Sequence, residues 1–295
     1  MDKKFWMTSI VNRFYCVCYL LEIYSAERSK ITDKELQAFT EELLKKDVNN
    51  AAQHIQINYQ GHTKSSSTSD EAPQPLIVIR SQALQIPTIS KLRLLYDNYI
   101  RDAGINEYVT PAERAEENSL LEAFMATPVM KHTMNFLSNK GLVSRDPKVQ
   151  KDLLKQIWFT MYSRGGGKIG SSAFEHVFLG ELKRGEISGM HNWVFFATEE
   201  AQRQADYLGY IRKLDLGGKG AILKLHYKWS NVLKPVGSMF VGTSPELEMA
   251  LYTVCFLVHP DEKCQVRMAG KNFSIRTHTY RYRGKNTIGS AFPEI

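Results

Sequence analysis

The spacing of apolar residues changes once along this chain of 295 residues, near residue 170, and that change limits the folds open to it. Before it, the spacing is helical. "TDKELQAFTEELLKK" sets Leu36, Phe39, Leu43 and Leu44 on one face behind Thr32, with Glu35 completing a capping box. "TPAERAEENSLLEAFMA" opens with Thr110, Pro111 and Glu113, and "TPVMKHTMNFLSNKG" repeats the device from Thr127 and Pro128 to a terminating Gly141. "SKLRLLYDNYI", from Ser90, reads as another helix. So does "DPKVQKDLLKQIWFTMYSRGGG", stopped by Gly165, Gly166 and Gly167. Residues 65–75, "SSSTSDEAPQP", read as a polar loop.

Beyond residue 170 the period becomes two. Leu223, Leu225, Tyr227 and Trp229 alternate with Lys224, His226, Lys228 and Ser230, as in a half-buried strand. "SIRTHTYRYR" alternates too, and "LYTVCFLVH" is rich in strand formers. Helices first and strands after predict an α+β fold. A helical N-terminal lobe, residues 28–164, would pack on a C-terminal lobe of antiparallel sheets, residues 165–295.

Residues 1–27 read as a leader. Lys3 and Lys4 precede an apolar stretch, and "YSA" resembles a cleavage site. The longest clean apolar run, Phe14 to Leu21, falls far short of the roughly twenty residues that span a bilayer. No transmembrane segment is expected. A cleaved leader would send the chain to the endoplasmic reticulum and outward; an uncleaved one would leave it cytoplasmic. Four cysteines are too few for a disulfide scaffold. Cys16 and Cys18 fall in the leader, and Cys255 and Cys264 are either bonded in an oxidising compartment or buried as thiols. The sequon at Asn272 matters only for a secreted chain. The net charge of +7 suits a polyanionic partner without requiring one.

Among motifs for chemistry, "RGGGKIGSS" fails the phosphate-loop pattern, because Ile169 follows Lys168. "FEHVFLGELKRGEISGMHNW" holds His176 and His191, with Glu175 and Glu181 beside the first. Two histidines in one glycine-punctuated segment could serve acid–base chemistry. They could also hold a metal with His226 and the carboxylates, and spacing alone leaves both open.

Three blocks, in order, carry a resemblance: "SSAFEHVFLGELKRGEISGMHNW", "KPVGSMFVGTSPELEMALYTVCFLVHP" over residues 234–260, and "FSIRTHTY" over residues 273–280. Together they resemble the EndoU family of poly(U)-preferring endoribonucleases, over about residues 30 to 295. The resemblance implies a catalytic centre of His176, His191 and Lys234. It implies that Ser238 faces the base, and that a threonine and an aromatic residue complete the site. Thr277 fits the threonine. The aromatic place falls on His278, where relatives have tyrosine, with Tyr280 on the same strand face as its substitute. Glu175 and Glu181 would orient the histidines or help bind a cation, while Asn192 and Trp193 read as scaffold. The family further implies manganese (Mn2+) stimulation, with no ligands assignable here, and a single-stranded, uridine-containing RNA as partner of a monomer.

These residue types suit RNA cleavage. RNA carries its own nucleophile, the 2′-hydroxyl. Histidine, with an ordinary pKa near 6.5, can take that proton or protonate the leaving 5′-oxygen. His191 is expected to act as base and His176 as acid, with Lys234 stabilising the phosphorane. The product would carry a 2′,3′-cyclic phosphate. Lys224, Lys228, Arg276, Arg281 and Arg283 could track the RNA backbone. Two other readings stand beside this one: an RNA-binding relative with little turnover, and a metal-dependent hydrolase using His176, His191 and His226.

Overall fold

Proline and a capping side chain start most of the long helices. The structure, a computed structural model, describes residues 31–295; the leader, with Cys16 and Cys18, lies outside the described residues. Thr110, Thr127, Asp146 and Ser244 each accept a first-turn N–H, and each is followed by proline. The side chain satisfies one orphan donor, and proline removes another at no cost. These caps begin α4 (Pro111–Met125), α5 (Pro128–Asn139), α6 (Pro147–Phe159) and α8 (Pro245–Val258). The full capping box forms at Thr110 and Glu113. At α1 (Asp33–Lys45) half of it forms: Thr32 accepts from the Glu35 N–H, but the Glu35 carboxylate pairs with Lys140 instead.

Two helices run differently from their sequence patterns. α3 (Pro87–Arg93), which follows the single turn α2 (Ser81–Leu84), starts before Ser90 at Pro87 and stops early. α6 ends at Phe159, not at the glycines. Thr160 is extended, and Tyr162 is drawn into a bridge with Ser171 while its hydroxyl donates to the Ile288 carbonyl at 3.1 Å. Distant partners therefore take the backbone out of the helix before Gly165.

The second half is built on two antiparallel three-stranded sheets. One orders β5 (Ala205–Asp215), β6 (Ala221–Trp229) and β7 (Val232–Val241). The other orders β10 (Lys285–Glu294), β9 (Lys271–Tyr282) and β8 (Lys263–Met268). A small hairpin joins β3 (Glu181–Lys183) to β4 (Glu186–Ser188), another pairs β1 (Ile55–Ile57) with β2 (Ile77–Ile79), and α7 spans Trp193–Ala201. The fold is α+β, as expected.

"LYTVCFLVH" is not a strand; it is the C-terminal part of α8 and the residue after it. Every residue of α8 except Leu257 is buried. A helix covered on all sides shows no amphipathic period, so its composition alone suggested a strand. This helix is the centre of the molecule. Tyr252 meets Phe240 of β7, Phe240 meets Phe273 of β9, and Thr253 accepts from the Trp158 indole of α6 at 3.0 Å. One continuous apolar core runs from Ile31 to Ala291 through both halves. Among the described residues, no helix is long and apolar enough to cross a membrane.

Cys255 and Cys264 are bonded, tying the last turns of α8 to β8 across a separation of nine residues. Closing a loop this short removes about 2–3 kcal/mol of unfolded-chain entropy. The Cys255→Ala/Cys264→Ala variant should therefore be less stable by about that much in urea unfolding.

Candidate active site

His176 lies on a π-helical turn, Glu175–Leu179, and not on a strand. Such turns recur at functional sites, because they push one side chain out of helical register. His191 lies just before α7, whose N-cap is Asn192. Backbone contacts bring the two together. The Met190 N–H donates to the His176 carbonyl at 2.9 Å, and the His191 N–H donates to the Val177 carbonyl at 2.7 Å. Gly189, at φ +75°, makes this approach feasible: a Cβ there would sit 1.8 Å from the His176 carbonyl oxygen. The imidazole centroids end 6.4 Å apart.

Both rings are held by Nδ1. His176 Nδ1 donates to Glu181 Oε2 at 2.8 Å, and His191 Nδ1 donates to the Ser238 carbonyl at 2.7 Å. A carbonyl or a carboxylate only accepts, so the proton sits on Nδ1 and the neutral rings keep Nε2 as acceptor. His176 Nε2 lies 3.1 Å from the Ser290 hydroxyl. Arg164 fixes Glu181 in turn, with its Nε 2.9 Å from Oε2. The same guanidinium donates to Ser171, Tyr162 and the Gly289 carbonyl.

"KPVGS" is a β-bulge. Leu225 pairs with Gly237 but Tyr227 pairs with Lys234, so Pro235 and Val236 together oppose the single His226. Proline, with no N–H, is tolerated at such a break in the ladder. Gly237 is required because a Cβ would lie 2.5 Å from the Tyr227 ring. The bulge turns Lys234 to donate to the Ile187 carbonyl at 2.7 Å. Its positive charge is felt by both imidazoles.

Burial dominates the electrostatics. It pulls His176 down to about 4, with Arg164 adding repulsion and Glu181 opposing. It pulls His191 down to about 3, with Lys234 and His176 adding repulsion. Lys234 itself falls to about 8. Burial alone would raise Glu181, but the His176 hydrogen bond and Arg164 hold it below the usual carboxylate range.

The residues expected around the base divide. Ser238 is at the site: its hydroxyl donates to the Pro293 carbonyl. Thr277 is not placed to meet substrate, because its side chain is fully buried beside Ile275 on the core side of β9. Tyr280 stacks on Tyr162, and its hydroxyl is committed to the Ser163 carbonyl. His278 is exposed and tilts against Phe292 at 6.1 Å. The hydroxyl and aromatic group that do meet the histidines are Ser290 and Phe292, on β10. Ser290 pairs across the sheet with His278, and Phe292 stacks on His191 at 5.0 Å. The signal was present as "SAF", a hydroxyl and an aromatic two residues apart and so on one strand face. Arg164 was also missed; nothing near it in sequence marks it.

Glu181 holds His176, but Glu175 does not. It lines a separate cavity of about 460 Å³ with Tyr96, Tyr99 and Arg101, and neither oxygen has a partner among the described residues. Burial, with Glu181 and Glu107 adding repulsion, pushes its carboxyl well above the usual range. His226 is fully buried, with Nδ1 bound to the Pro235 carbonyl. It does not converge with His176 and His191 on a common point among the described residues. Among the described residues no three His, Cys, Asp or Glu side chains converge as a metal cage, so the donor set does not fit a resident manganese ion. Asn192 is scaffold: its Oδ1 caps α7, and its Nδ2 donates to Glu248. The Trp193 indole donates to the Thr243 carbonyl.

A depressed histidine makes stability depend on pH. The unfolded His191 binds a proton near 6.5, the folded one near 3, so protons favour unfolding between those values. His191→Asn keeps a donor for the Ser238 carbonyl but cannot titrate. From pH 7 to pH 5 the parent chain should lose about 2 kcal/mol more stability than this variant, by urea unfolding. Equal losses would refute the depressed titration.

Both sequence and fold have relatives among known proteins. The family model Endoribonuclease XendoU matches residues 35–293. The uridylate-specific endoribonuclease EndoU of Drosophila melanogaster is 39% identical over 243 residues, covering 81% of this chain and 76% of that protein. Uridylate-specific endoribonuclease C of Xenopus laevis is 38% identical over 276 residues, covering 90% and 91%. The solved structure of XendoU, a splicing independent snoRNA processing endoribonuclease, matches with a TM-score of 0.74 and 34% identity, covering 88% of this chain and 96% of that one. With its two imidazoles and a lysine brought together on the fold these relatives share, this chain belongs to the XendoU endoribonuclease family.

Proposed function

We propose that this protein cuts single-stranded RNA at uridine by attack of the 2′-hydroxyl, leaving a 2′,3′-cyclic phosphate. One observation carries the reading: two buried imidazoles, each anchored through Nδ1, lie 6.4 Å apart beside a half-buried ammonium. That gap is too wide for a direct bond between the rings and suits a phosphate held between them.

His191 is the base. Its neutral form dominates at pH 7, and its free acceptor is Nε2. It takes the 2′-hydroxyl proton as O2′ attacks phosphorus. His176 is the acid, because the Glu181 carboxylate favours its imidazolium once a phosphate enters. It gives its Nε2 proton to the departing 5′-oxygen as the P–O5′ bond breaks. Lys234 faces the charge that grows on the non-bridging oxygens.

Ser238 selects the base. Its hydroxyl proton goes to the Pro293 carbonyl, so its oxygen is left to accept. Uracil presents an N3–H there, whereas cytosine presents a bare N3 and leaves the serine unpaired. Phe292 supplies the apolar wall. Because the donor set does not fit a metal cage, no step is routed through manganese. The manganese effect expected from the family is assigned to cations neutralising the RNA phosphates. The disulfide supports a secreted protein, in keeping with the leader.

The test uses a DNA oligonucleotide with one ribouridine, with manganese and with chelator. Cleavage should occur only 3′ of that residue, with cyclic-phosphate ends, and a deoxyuridine control should survive. His176→Ala should lower the rate by about 10²–10⁴ without weakening binding. Binding without cleavage by the parent chain would overturn the catalytic reading.

A further inference from the structure

A groove of about 520 Å³ opens from Ser238 and Phe292 and runs between the two main sheets, away from His176. Its floor carries a row that the strand register sets out: Arg212 on β5 lies opposite Lys224 on β6, and Lys224 lies opposite Ser238 on β7. With strands about 4.8 Å apart, the two cations stand roughly 5 and 10 Å beyond the serine.

Like charges directly opposite on neighbouring strands repel and lower stability. The usual remedy is a carboxylate, and the groove contains one. Glu294, however, is engaged by Lys263 at 3.7 Å and Arg276 at 3.6 Å. Among the described residues, Arg212 and Lys224 enter no ion pair. Lys224 is half-buried and lines the groove. Two uncompensated cations, one strand apart and in line with the base-binding serine, describe an anion site.

Of the other basic candidates, Arg276 sits at the edge of the groove but is engaged by Glu294. Lys228 and Arg281 line different cavities, and Arg283 lies over Tyr282.

The position of the groove decides which phosphate it takes. It is lined by Ser238 and Phe292, the residues that touch His191, on the side of the uridine. Neither histidine lines it, nor does Ser290, the partner of the acid His176 that serves the leaving nucleotide. We infer that Arg212 and Lys224 bind the RNA phosphate on the 5′ side of the cleaved uridine, so that the groove carries the preceding nucleotide. The inference rests on the ribonuclease reading above and adds to it a preference for internal over 5′-terminal, unphosphorylated uridines.

The probes are UpA and its 5′-phosphorylated form pUpA, with kcat/KM measured for each. The parent protein should prefer pUpA on the order of tenfold, the worth of one charge-assisted contact. In Arg212→Gln/Lys224→Gln that ratio should fall to about one. Thermal unfolding should show the variant at least as stable as the parent, because the repulsion is gone. A parent ratio near one, or a ratio retained in the variant, overturns the subsite. The same comparison by calorimetry with the uncleavable 2′-deoxyuridine forms separates the two claims. Equal affinities for the deoxy forms sink the subsite. Tighter binding of the phosphorylated form, with no cleavage of UpA or pUpA, sinks the nuclease reading alone.

Discussion

Two backbone hydrogen bonds, from Met190 to His176 and from His191 to Val177, hold this molecule's chemistry together. They close a loop whose ends carry the two imidazoles, and the β3–β4 hairpin fills the space between. Side chains are long and rotatable, whereas a pair of backbone bonds fixes two Cα positions at once. With the backbones locked, one Nδ1 anchor per ring suffices to aim each Nε2. Gly189 cannot carry a side chain there, since any Cβ would enter the His176 carbonyl.

Around this lock the fold accepts unfavourable electrostatics. Two histidines and a lysine are removed from water close to one another, and each is destabilised in its charged form. The compensation is local and directional. Glu181 serves His176, and Arg164 serves Glu181. Arg164 also ties the segment before the π-helical turn to β10 through Gly289, next to Ser290. One guanidinium thus holds both the carboxylate behind His176 and the strand that brings Ser290 and Phe292 to the rings. A phosphate entering this field meets positive charge already in place, which is how a preorganised site stabilises developing negative charge.

The chemistry lies where the two sheets face each other over α8. β7 brings Lys234 and Ser238, β10 brings Ser290 and Phe292, the π-helical turn brings His176, and the residue before the α7 N-cap brings His191. No single element contains more than part of the site. Fold and site are coupled here: the core that joins Phe240, Tyr252 and Phe273 also sets the distance between the two sheets.

The sequence by itself determined what is local. Thr–Pro starts specify α4 and α5 because a cap and a missing N–H act within one turn. Alternation specifies β6. Paired histidines with a nearby carboxylate made acid–base chemistry a candidate, and the ordered blocks singled out His176, His191, Lys234, Ser238 and Glu181, which the fold brings into one region. Only the tertiary structure decided the rest. α8 hid its helical nature because burial on every side erases periodicity. The hydroxyl and aromatic partners fell on Ser290 and Phe292, not on Thr277 and Tyr280, because the packing of β9 turns Thr277 to the core and commits the Tyr280 hydroxyl elsewhere. The pairing of Cys255 with Cys264 depends on how α8 packs against β8, the reach of Arg164 on how its loop packs against β10, and the Arg212–Lys224–Ser238 row on register between strands. Register is set by contacts between residues distant in sequence, and a linear chain does not display them.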